Sequence, residues 1–404
     1  MIHQAERMAE VRSDIRGPLY EEALRMQREG IQVLKLNTGN PGIFGFEMPD
    51  GIRRALMAGM DRAVPYCDLR GMPEAREAIL AYHEGKGLQG IGMDDIYLGN
   101  GVSELTSMLL SAVLNPGDEL LMPTPCYTLW SNSARLADSK PVFYRLDEQS
   151  LWYPDLEDIK RKITPRTRGI VIINPNNPTG ALYPREVLEG MLAIAREHKL
   201  LVFSDEIYDR LVIDDLAHHA AAALAPDLPV ITMNGLSKSH NICGFRSGWM
   251  VISGPGKQTA ELADAVTRLA AMRLCANALM QLAVPAALAD PESTRAMMVP
   301  GGRLYEQRRV TLEALKDVPG LSVVPNSASF YLFPKLDTRL LKIEDDRAFC
   351  YDLLHETKVL VIPGSGFEWN RPDHLRIVML PKADEMKAAM ERVAEYLRGR
   401  AAQC

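Results

Sequence analysis

Seven short apolar runs, separated by longer stretches with helical spacing, dominate the chain between residues 45 and 290. Several runs are continuously apolar, which is typical of strands buried on both faces. Strands that alternate with helices predict an α/β fold whose mostly parallel, seven-stranded sheet is sandwiched by helices. The predicted strands are Asp95–Leu98, Glu119–Met122, Pro141–Tyr144, Gly169–Ile173, Leu200–Ser204, Pro229–Met233 and Gly248–Ile252.

The chain is long enough to require more than one hydrophobic core. Its 404 residues exceed the size at which a single core stops growing, so two domains are expected. Residues 45–290 form the predicted large domain, in which Gln258–Ala289 reads as one long helical run. A smaller α/β domain is predicted for residues 291–404. Residues 1–44 are predicted to form an N-terminal arm that packs on the small domain.

Composition excludes several classes of partner. The net charge of −6, without any long basic run, argues against a nucleic-acid partner. No apolar run reaches about eighteen residues, which argues against a membrane span. The first thirty residues lack an apolar core, which argues against a signal peptide. The six cysteines are too widely spaced for a zinc motif and the eight histidines lack ligand spacing, so no metal is predicted. Such cysteines fit reduced thiols in a cytoplasmic protein.

Three polar motifs follow three of the predicted strands. Together they offer an amide, a carboxylate, a phenol, a lysine and an arginine. This set can hold a phosphorylated, cationic heteroaromatic aldehyde and bond to it covalently, and pyridoxal 5'-phosphate (PLP) is such a molecule. The motifs are Asn174-Pro-Asn-Asn-Pro-Thr-Gly180, Ser204-Asp-Glu-Ile-Tyr208 and Gly235-Leu-Ser-Lys-Ser-His-Asn-Ile-Cys-Gly-Phe-Arg246.

Lys238 and Arg246 are the cationic candidates. Lys238 follows the apolar run Pro229–Met233 in a turn of small residues, where desolvation is expected to lower its pKa and free an amine for attack on an aldehyde. Arg246 lies eight residues further on, and its planar guanidinium suits a phosphate. Taken singly, a lysine such as Lys238 is more often a solvated surface residue, and the alternative for Arg246 is a surface ion pair.

Three further candidates follow neighbouring strands. Asp205 stands at the carboxyl end of its strand, where ligands bind in parallel sheets, and could pair with a protonated pyridine nitrogen. Tyr208 could share its face. Asn177 lies in a loop stiffened by two Asn-Pro steps, which can present an amide to a fixed acceptor. The alternatives are a helix N-cap for Asp205, a core tyrosine and an ordinary turn.

The segment Gly99-Asn-Gly101-Val-Ser103-Glu104 joins a predicted strand to a helix. Backbone N–H groups at a helix N-terminus bind phosphate well. A dinucleotide fingerprint is a weak interpretation because Glu104 stands where the third glycine is required. The segment therefore predicts a phosphate contact.

Together these motifs resemble the class I/II PLP-dependent aminotransferases of fold type I, over almost the whole chain. The resemblance implies that Lys238 is the Schiff-base lysine and proton shuttle, that Asp205 holds the pyridine nitrogen, and that Tyr127 stacks on the ring. It also implies a homodimer. The other implied cofactor ligands are Val102, Ser103, Asn177, Tyr208, Ser237, Arg246 and, from the neighbouring subunit, Tyr66. The implied substrate-binding residues are Gly39, Asn177 and Arg376, which clamps the α-carboxylate.

Four other segments, among them Asp14-Ile-Arg-Gly-Pro18 and Met272-Arg-Leu-Cys-Ala-Asn277, resemble bacterial alanine (glutamate–pyruvate) aminotransferases. The expected reaction is transamination between alanine and 2-oxoglutarate, by a ping-pong mechanism. Arg16 is the candidate for the distal carboxylate of glutamate, and Arg273 competes with it. Alternatives are an aromatic, branched-chain or aspartate aminotransferase, a C–S lyase on the same fold, and a non-catalytic PLP-binding protein.

Overall fold

The computed structural model describes residues 2–403. Its largest element is an eight-stranded sheet. The fifteen strands within residues 2–403 are β1 (Leu34–Lys35), β2 (Ile96–Asn100), β3 (Glu119–Thr124), β4 (Lys140–Asp147), β5 (Tyr153–Pro154), β6 (Thr167–Ile173), β7 (Leu201–Asp205), β8 (Val230–Gly235), β9 (Ser247–Ser253), β10 (Leu321–Ser322), β11 (Tyr331–Leu332), β12 (Lys335–Leu336), β13 (Val359–Leu360), β14 (Ile362–Pro363) and β15 (Leu375–Val378).

The order of strands in the large sheet is β2-β9-β8-β7-β6-β3-β4-β5. Only β9 and β5 run against the other strands, which confirms the mostly parallel sheet. The sheet has eight strands instead of the predicted seven. The additional strand is β5, a two-residue edge strand paired with the end of β4, and two residues are too short to produce a periodic pattern.

Fifteen α-helices lie within residues 2–403. They are α1 (Pro18–Arg28), α2 (Asp50–Gly59), α3 (Pro73–Gly85), α4 (Val102–Val113), α5 (Leu129–Leu136), α6 (Leu156–Lys162), α7 (Arg185–Glu197), α8 (Ala221–Leu224), α9 (Gly256–Met272), α10 (Ala278–Gln281), α11 (Ala283–Leu288), α12 (Glu292–Met298), α13 (Arg303–Ala314), α14 (Asp346–Thr357) and α15 (Ala383–Ala402). No helix among these residues combines the length and the apolar character needed to cross a membrane.

The sheet is buried on both faces because successive side chains of its strands enter different cores. In β7, Val202 joins a cluster with Met191 of α7, whereas Phe203 joins a cluster with Leu109 of α4 and Val266 of α9. Burial on both faces explains why the strand is apolar without a break.

The predicted helix Gln258–Ala289 is wrong as a single element, because α9 ends at Met272 and two shorter helices follow. Leu274 adopts a left-handed conformation with φ of 69°, which an α-helix does not allow. The Arg273 side chain turns towards α4, where it pairs with Glu104 and donates to the carbonyl of Leu98. This long-range ion pair is invisible to helical periodicity.

The C-terminal part contains short strands around another core. β15 pairs with β11 and β14, and α13, α14 and α15 contribute to the same cluster of buried side chains. The N-terminal region reaches this part, since β1 pairs with β13 and α1 packs Ala23 and Met26 against Leu354 and Leu360. The division into residues 1–44, 45–290 and 291–404 stays a prediction.

Candidate active site

The predicted polar motifs meet at the carboxyl edge of the large sheet. Ile173, the last residue of β6, lies opposite Asp205, the last residue of β7. Asp205 in turn lies opposite Met233 of β8, a strand that ends three residues before Lys238. Ligands bind at such edges of parallel sheets. The three motifs therefore share one location.

Asp205 is a buried carboxylate that makes no ion pair within residues 2–403. Its Oδ2 accepts a hydrogen bond from Trp130 Nε1 at 2.9 Å, and its Oδ1 accepts a weak one from the backbone N–H of Ile207 at 3.4 Å. Burial raises the pKa of Asp205 to about 6, against the opposing effect of these two bonds. No helix starts directly after Asp205, so the N-cap alternative is wrong.

Lys238 points at the main chain of a distant loop. Its Nζ donates to the carbonyl oxygen of Gly39 at 2.6 Å and lies 4.0 Å from Cys243 Sγ. The predicted lowering of its pKa is wrong. Burial does disfavour the ammonium, but Tyr331, Cys243 and Tyr127 outweigh it and raise the pKa of Lys238. A fixed acceptor and ionisable neighbours are thus more important here than desolvation.

Tyr208 lies on the same buried side as Asp205. Its hydroxyl lies 3.0 Å from that of Tyr331, a residue for which the sequence predicted no role. Burial raises the pKa of Tyr208 well above its ordinary value. Gly39 closes the group, because a Cβ there would lie 2.1 Å from the Tyr331 hydroxyl oxygen. Only glycine fits at position 39, because any side chain there would collide with the Tyr331 hydroxyl.

Arg376 is a fully buried arginine on β15 with unused hydrogen-bonding capacity. Its guanidinium lies 4.7 Å from the ring centre of Tyr331 and 4.5 Å from that of Phe367. Nη1 donates to Asn177 Oδ1 at 3.2 Å, and Nη2 donates to the carbonyl of Asn37. Nε has no partner, and burial lowers the pKa of Arg376. A buried guanidinium without a counter-ion is ready to accept a carboxylate.

The predicted phosphate contacts lie where β2 turns into α4. Gly101 has φ of 82°, and a Cβ on it would lie 2.3 Å from Arg246 Nη2. A Cβ on Gly248 would lie 2.7 Å from the nitrogen of Val102. Arg246 is exposed, and its Nη1 donates to the carbonyl of Cys243 at 2.9 Å. Val102 and Ser103 open α4, so their N–H groups are free of helical partners.

The structure places the four remaining predicted site residues differently relative to the candidate active site. Ser237 is buried next to Lys238, and Tyr127 acts electrostatically on both Lys238 and Arg376. Tyr66 is 78% exposed. Arg16 is exposed and makes no hydrogen bond or ion pair within the described chain. The structure therefore brings Ser237 and Tyr127 to the site, whereas within residues 2–403 the side chains of Tyr66 and Arg16 make no hydrogen bond or ion pair with it.

A buried ionic cluster lies next to the turn that follows Asp205. Glu206, Asp209 and His218 place ligand atoms within 4.8 Å of one another, a grouping that sequence spacing did not reveal. Lys86 Nζ lies 2.8 Å from Glu206 and 2.7 Å from Asp209. Its ammonium occupies the position between the two carboxylates that a metal ion would need. We interpret the cluster as an internal ion pair that holds the turn carrying Asp205.

Comparison with known proteins identifies the family. The family model described as aminotransferase class I and II matches residues 31–393. The chain belongs to the class I and II aminotransferases. This confirms the predicted family, the fold class and the enzymatic activity as an aminotransferase.

Individual relatives resemble this aminotransferase along almost its whole length. It is 47% identical to a protein of Escherichia coli K12 named glutamate-pyruvate aminotransferase AlaA, over 98% of each chain. It is 44% identical to a Mycobacterium tuberculosis H37Rv protein named alanine aminotransferase, covering 98% of this chain and 92% of that one. The crystal structure of an Escherichia coli aminotransferase superposes with a TM-score of 0.97 at 47% identity, covering 99% of both chains.

Three residues of the site were missed from the sequence. The sequence analysis assigned no role to Trp130, Tyr331 or Asn37, whose hydrogen-bond partners are Asp205, Tyr208 and Arg376. Only Trp130 carried a usable signal, since a buried indole requires an acceptor.

Proposed function

We propose that this aminotransferase uses PLP to exchange the amino group between L-alanine and 2-oxoglutarate, forming pyruvate and L-glutamate. The observation that carries the proposal is that Arg376 of β15 reaches Asn177 and Asn37, beside the carboxyl edge of the large sheet at which Asp205 and Lys238 lie. An amine, a carboxylate and a carboxylate-binding arginine are what transamination of an α-amino acid requires. The names of the 44–47% identical relatives favour alanine over aspartate, aromatic and branched-chain donors.

The residues present fit PLP. Asp205 is a buried carboxylate with a raised pKa, which suits a cationic pyridine nitrogen as its missing partner. The side-chain-free surface of Gly101, the start of α4 and the Arg246 guanidinium suit a phosphate. Tyr208 and Asn177 offer a hydroxyl and an amide to the phenolic oxygen of the ring, and Tyr127 offers an aromatic face. Lys238 supplies the amine.

When bound, PLP supplies an aldehyde that condenses with amines and a cationic ring that withdraws electrons. Arg376 binds the α-carboxylate and so orients the Cα–H bond. Lys238 Nζ would take the α-proton as general base and, once protonated, would act as general acid. Asp205 keeps the proton on the ring nitrogen throughout. Gly39 lets the substrate approach where any side chain would collide with Tyr331.

A half-reaction without a keto acid tests this function. The purified protein, loaded with PLP, is mixed with L-alanine. We expect the absorbance of the cofactor to change to that of its amine form, with about one pyruvate per active site and no ammonia. A C–S lyase or a non-catalytic binding protein gives no such stoichiometric pyruvate. Lys238→Ala is the control, and an unchanged half-reaction in that variant contradicts the assignment of the lysine.

We also propose that the protein is a homodimer in which Tyr66 reaches the phosphate of the partner's cofactor. The support is the 78% exposure of Tyr66, an aromatic side chain without a partner among residues 2–403. Large exposed apolar side chains nearby point in the same direction, since monomers rarely expose contiguous apolar patches.

A further inference from the structure

Residues 2–17 are the first part of the predicted N-terminal arm 1–44 and are called the arm from here on. They are fastened to two separate helices. The backbone N–H of Arg12 donates to Asn132 Oδ1 at 3.1 Å, and Asn132 Nδ2 donates to the carbonyl of Arg12 at 2.7 Å. These bonds tie the arm to α5. Asp14 pairs with Arg347 at 3.0 Å, which ties it to α14. Arg16, two residues after Asp14, is exposed.

A third tie leads into the active site. Asn37 is 2% exposed, and its Nδ2 donates to the backbone carbonyl of Ile15 at 2.7 Å. Ile15 directly precedes Arg16 and packs against the aromatic cluster that contains Phe367. The side chain of Asn37 therefore holds the backbone directly before Arg16.

Asn37 also contacts the residue that binds the substrate carboxylate in the proposed function. Its backbone carbonyl accepts a hydrogen bond from Arg376 Nη2. Two residues further on, the carbonyl of Gly39 accepts from Lys238 Nζ at 2.6 Å. The segment 37–39 thus joins three groups that lie far apart in the sequence, namely the arm, the carboxylate-binding arginine and the reactive lysine.

We propose that Asn37 is a positioning residue that couples occupation of Arg376 by a carboxylate to docking of the arm beside the substrate. A carboxylate holds the Arg376 guanidinium in place, and the hydrogen bond from Arg376 Nη2 to the Asn37 carbonyl then holds the Asn37 amide in its existing bond to Ile15. By linkage, a docked arm strengthens carboxylate binding by the same factor. The proposal rests on the proposed function in one respect, the binding of a carboxylate at Arg376.

The arm offers a readout that does not depend on turnover. It contains Arg12 and Arg16, after which trypsin cleaves. The PLP-loaded protein is digested with and without saturating succinate, an unreactive dicarboxylate, and the arm fragments are quantified by mass spectrometry. Succinate binding is followed separately by the cofactor spectrum. We expect succinate to slow cleavage of the wild-type arm at least about fivefold, the lower end of ordinary coupling between sites.

Two variants separate coupling from simple loosening. Asn37→Ala keeps the backbone carbonyl that accepts from Arg376 but removes the donor to Ile15. Succinate should therefore still bind, but the protection ratio, which is the cleavage rate without succinate divided by the rate with it, should fall to about one. Asn132→Ala removes two arm bonds outside the segment 37–39, so basal cleavage should rise while the protection ratio is kept. In steady state, Asn37→Ala should raise KM for glutamate with little change in kcat.

The outcomes are distinct. A wild-type protection ratio in Asn37→Ala overturns the coupling role. So does wild-type protein in which succinate alters the cofactor spectrum but does not protect the arm. A wild-type protein that fails to bind succinate at all overturns the proposed role of Arg376, and the coupling with it.

Discussion

At the scale of single residues, the site is built from groups that the unliganded fold leaves unsatisfied. Within the described residues 2–403, Asp205 is buried without a cationic partner and Arg376 is buried without an anionic one. Burial of an unpaired charge opposes folding, so each is a cost that a bound ligand with the opposite charge removes. Such residues carry function because they are locally unfavourable.

Asp205→Asn should stabilise the cofactor-free protein and inactivate the loaded enzyme. In the folded protein the pKa of Asp205 is about 6, above its ordinary value of 3.8. Ionisation of Asp205 therefore lowers the free energy of unfolding as the pH rises from 3.8 to about 6, and this loss of stability persists at higher pH. At pH 8 the variant should gain up to roughly 3 kcal/mol in urea unfolding. Loaded with PLP, it should lose about 10²–10³ in kcat, since an amide cannot retain the pyridine proton.

Asp209→Asn is the matched control for that experiment. Asp209 is equally buried, but Lys86, His218 and Tyr82 overcome burial and lower its pKa, so this substitution should destabilise the protein at pH 8. Asp205→Asn without a stability gain at pH 8 would mean that the carboxylate is already compensated.

Arg16→Ala should impair the glutamate half-reaction selectively. Arg16 is exposed and unpaired among residues 2–403, so it is available to a distal carboxylate, whereas Arg273 is already engaged by Glu104 and the Leu98 carbonyl. Loss of one charge-assisted contact costs about 1.5–3 kcal/mol, which is roughly 10–100-fold in kcat/KM for glutamate. Single-turnover rates with glutamate and alanine measure the difference.

Arg12→Ala serves as its control, because Arg12 contacts α5 through its main chain only. Equal losses with both substrates in Arg16→Ala would make Arg16 a structural residue. A loss confined to glutamate in Arg273→Ala would transfer the role to Arg273.

At the scale of elements, the sequence predicted strands that follow a local apolar pattern, but it did not predict a helix end that coincides with a contact between distant residues. The apolar runs of β3, β6, β7 and β8 mark strands because both faces of each are buried. Where α9 ends, Arg273 pairs with Glu104, which lies 169 residues away in the sequence. No periodicity encodes such a contact.

The turn between β2 and α4 gives a test at this scale. Gly101→Ala introduces a Cβ at φ of 82° and 2.3 Å from Arg246 Nη2, so it should both strain the backbone and displace the guanidinium. We expect a stability loss of about 1–2 kcal/mol and a PLP affinity at least about tenfold weaker. Thermal unfolding and equilibrium dialysis measure the two effects.

Gly117→Ala separates strain from contact. Gly117 has the same φ of 82° but nothing within 4 Å of an added Cβ, so this variant should lose stability alone. If both variants bind PLP equally well, the turn before α4 does not hold the phosphate.

At the scale of the whole molecule, sequence motifs located the site but could not complete it. Lys238, Asp205 and Asn177 follow strands whose carboxyl ends meet, so their proximity was predictable from topology. Tyr331 and Asn37 reach the site from other parts of the fold, and their roles depend on the way those parts pack together. Packing of that kind leaves no local pattern in a single sequence.

The surface around Tyr66 should associate two copies of the chain. The exposed apolar side chains form what we call the apolar patch: Met57, Met60, Val64, Tyr66, Met272 and Leu274. Its two segments are neighbours, since Gln281 Nε2 donates both to Cys67 Sγ at 3.4 Å and to the carbonyl of Ala276 at 3.2 Å. Two-fold association would bury this patch against its own copy, which is the commonest form of assembly.

Val64→Lys should therefore shift the protein towards monomers in sedimentation velocity, because a lysine in the buried patch would lose its hydration without gaining a partner. Activity should fall in parallel, since each site would lose the Tyr66 of the partner subunit. Leu216→Lys is the control, as Leu216 is 48% exposed but lies outside the patch, and it should change neither quantity. Tyr66→Phe should remain dimeric and bind PLP more weakly, by about 1 kcal/mol for one lost hydrogen bond. A fully active monomer would contradict both the patch as an interface and a shared active site.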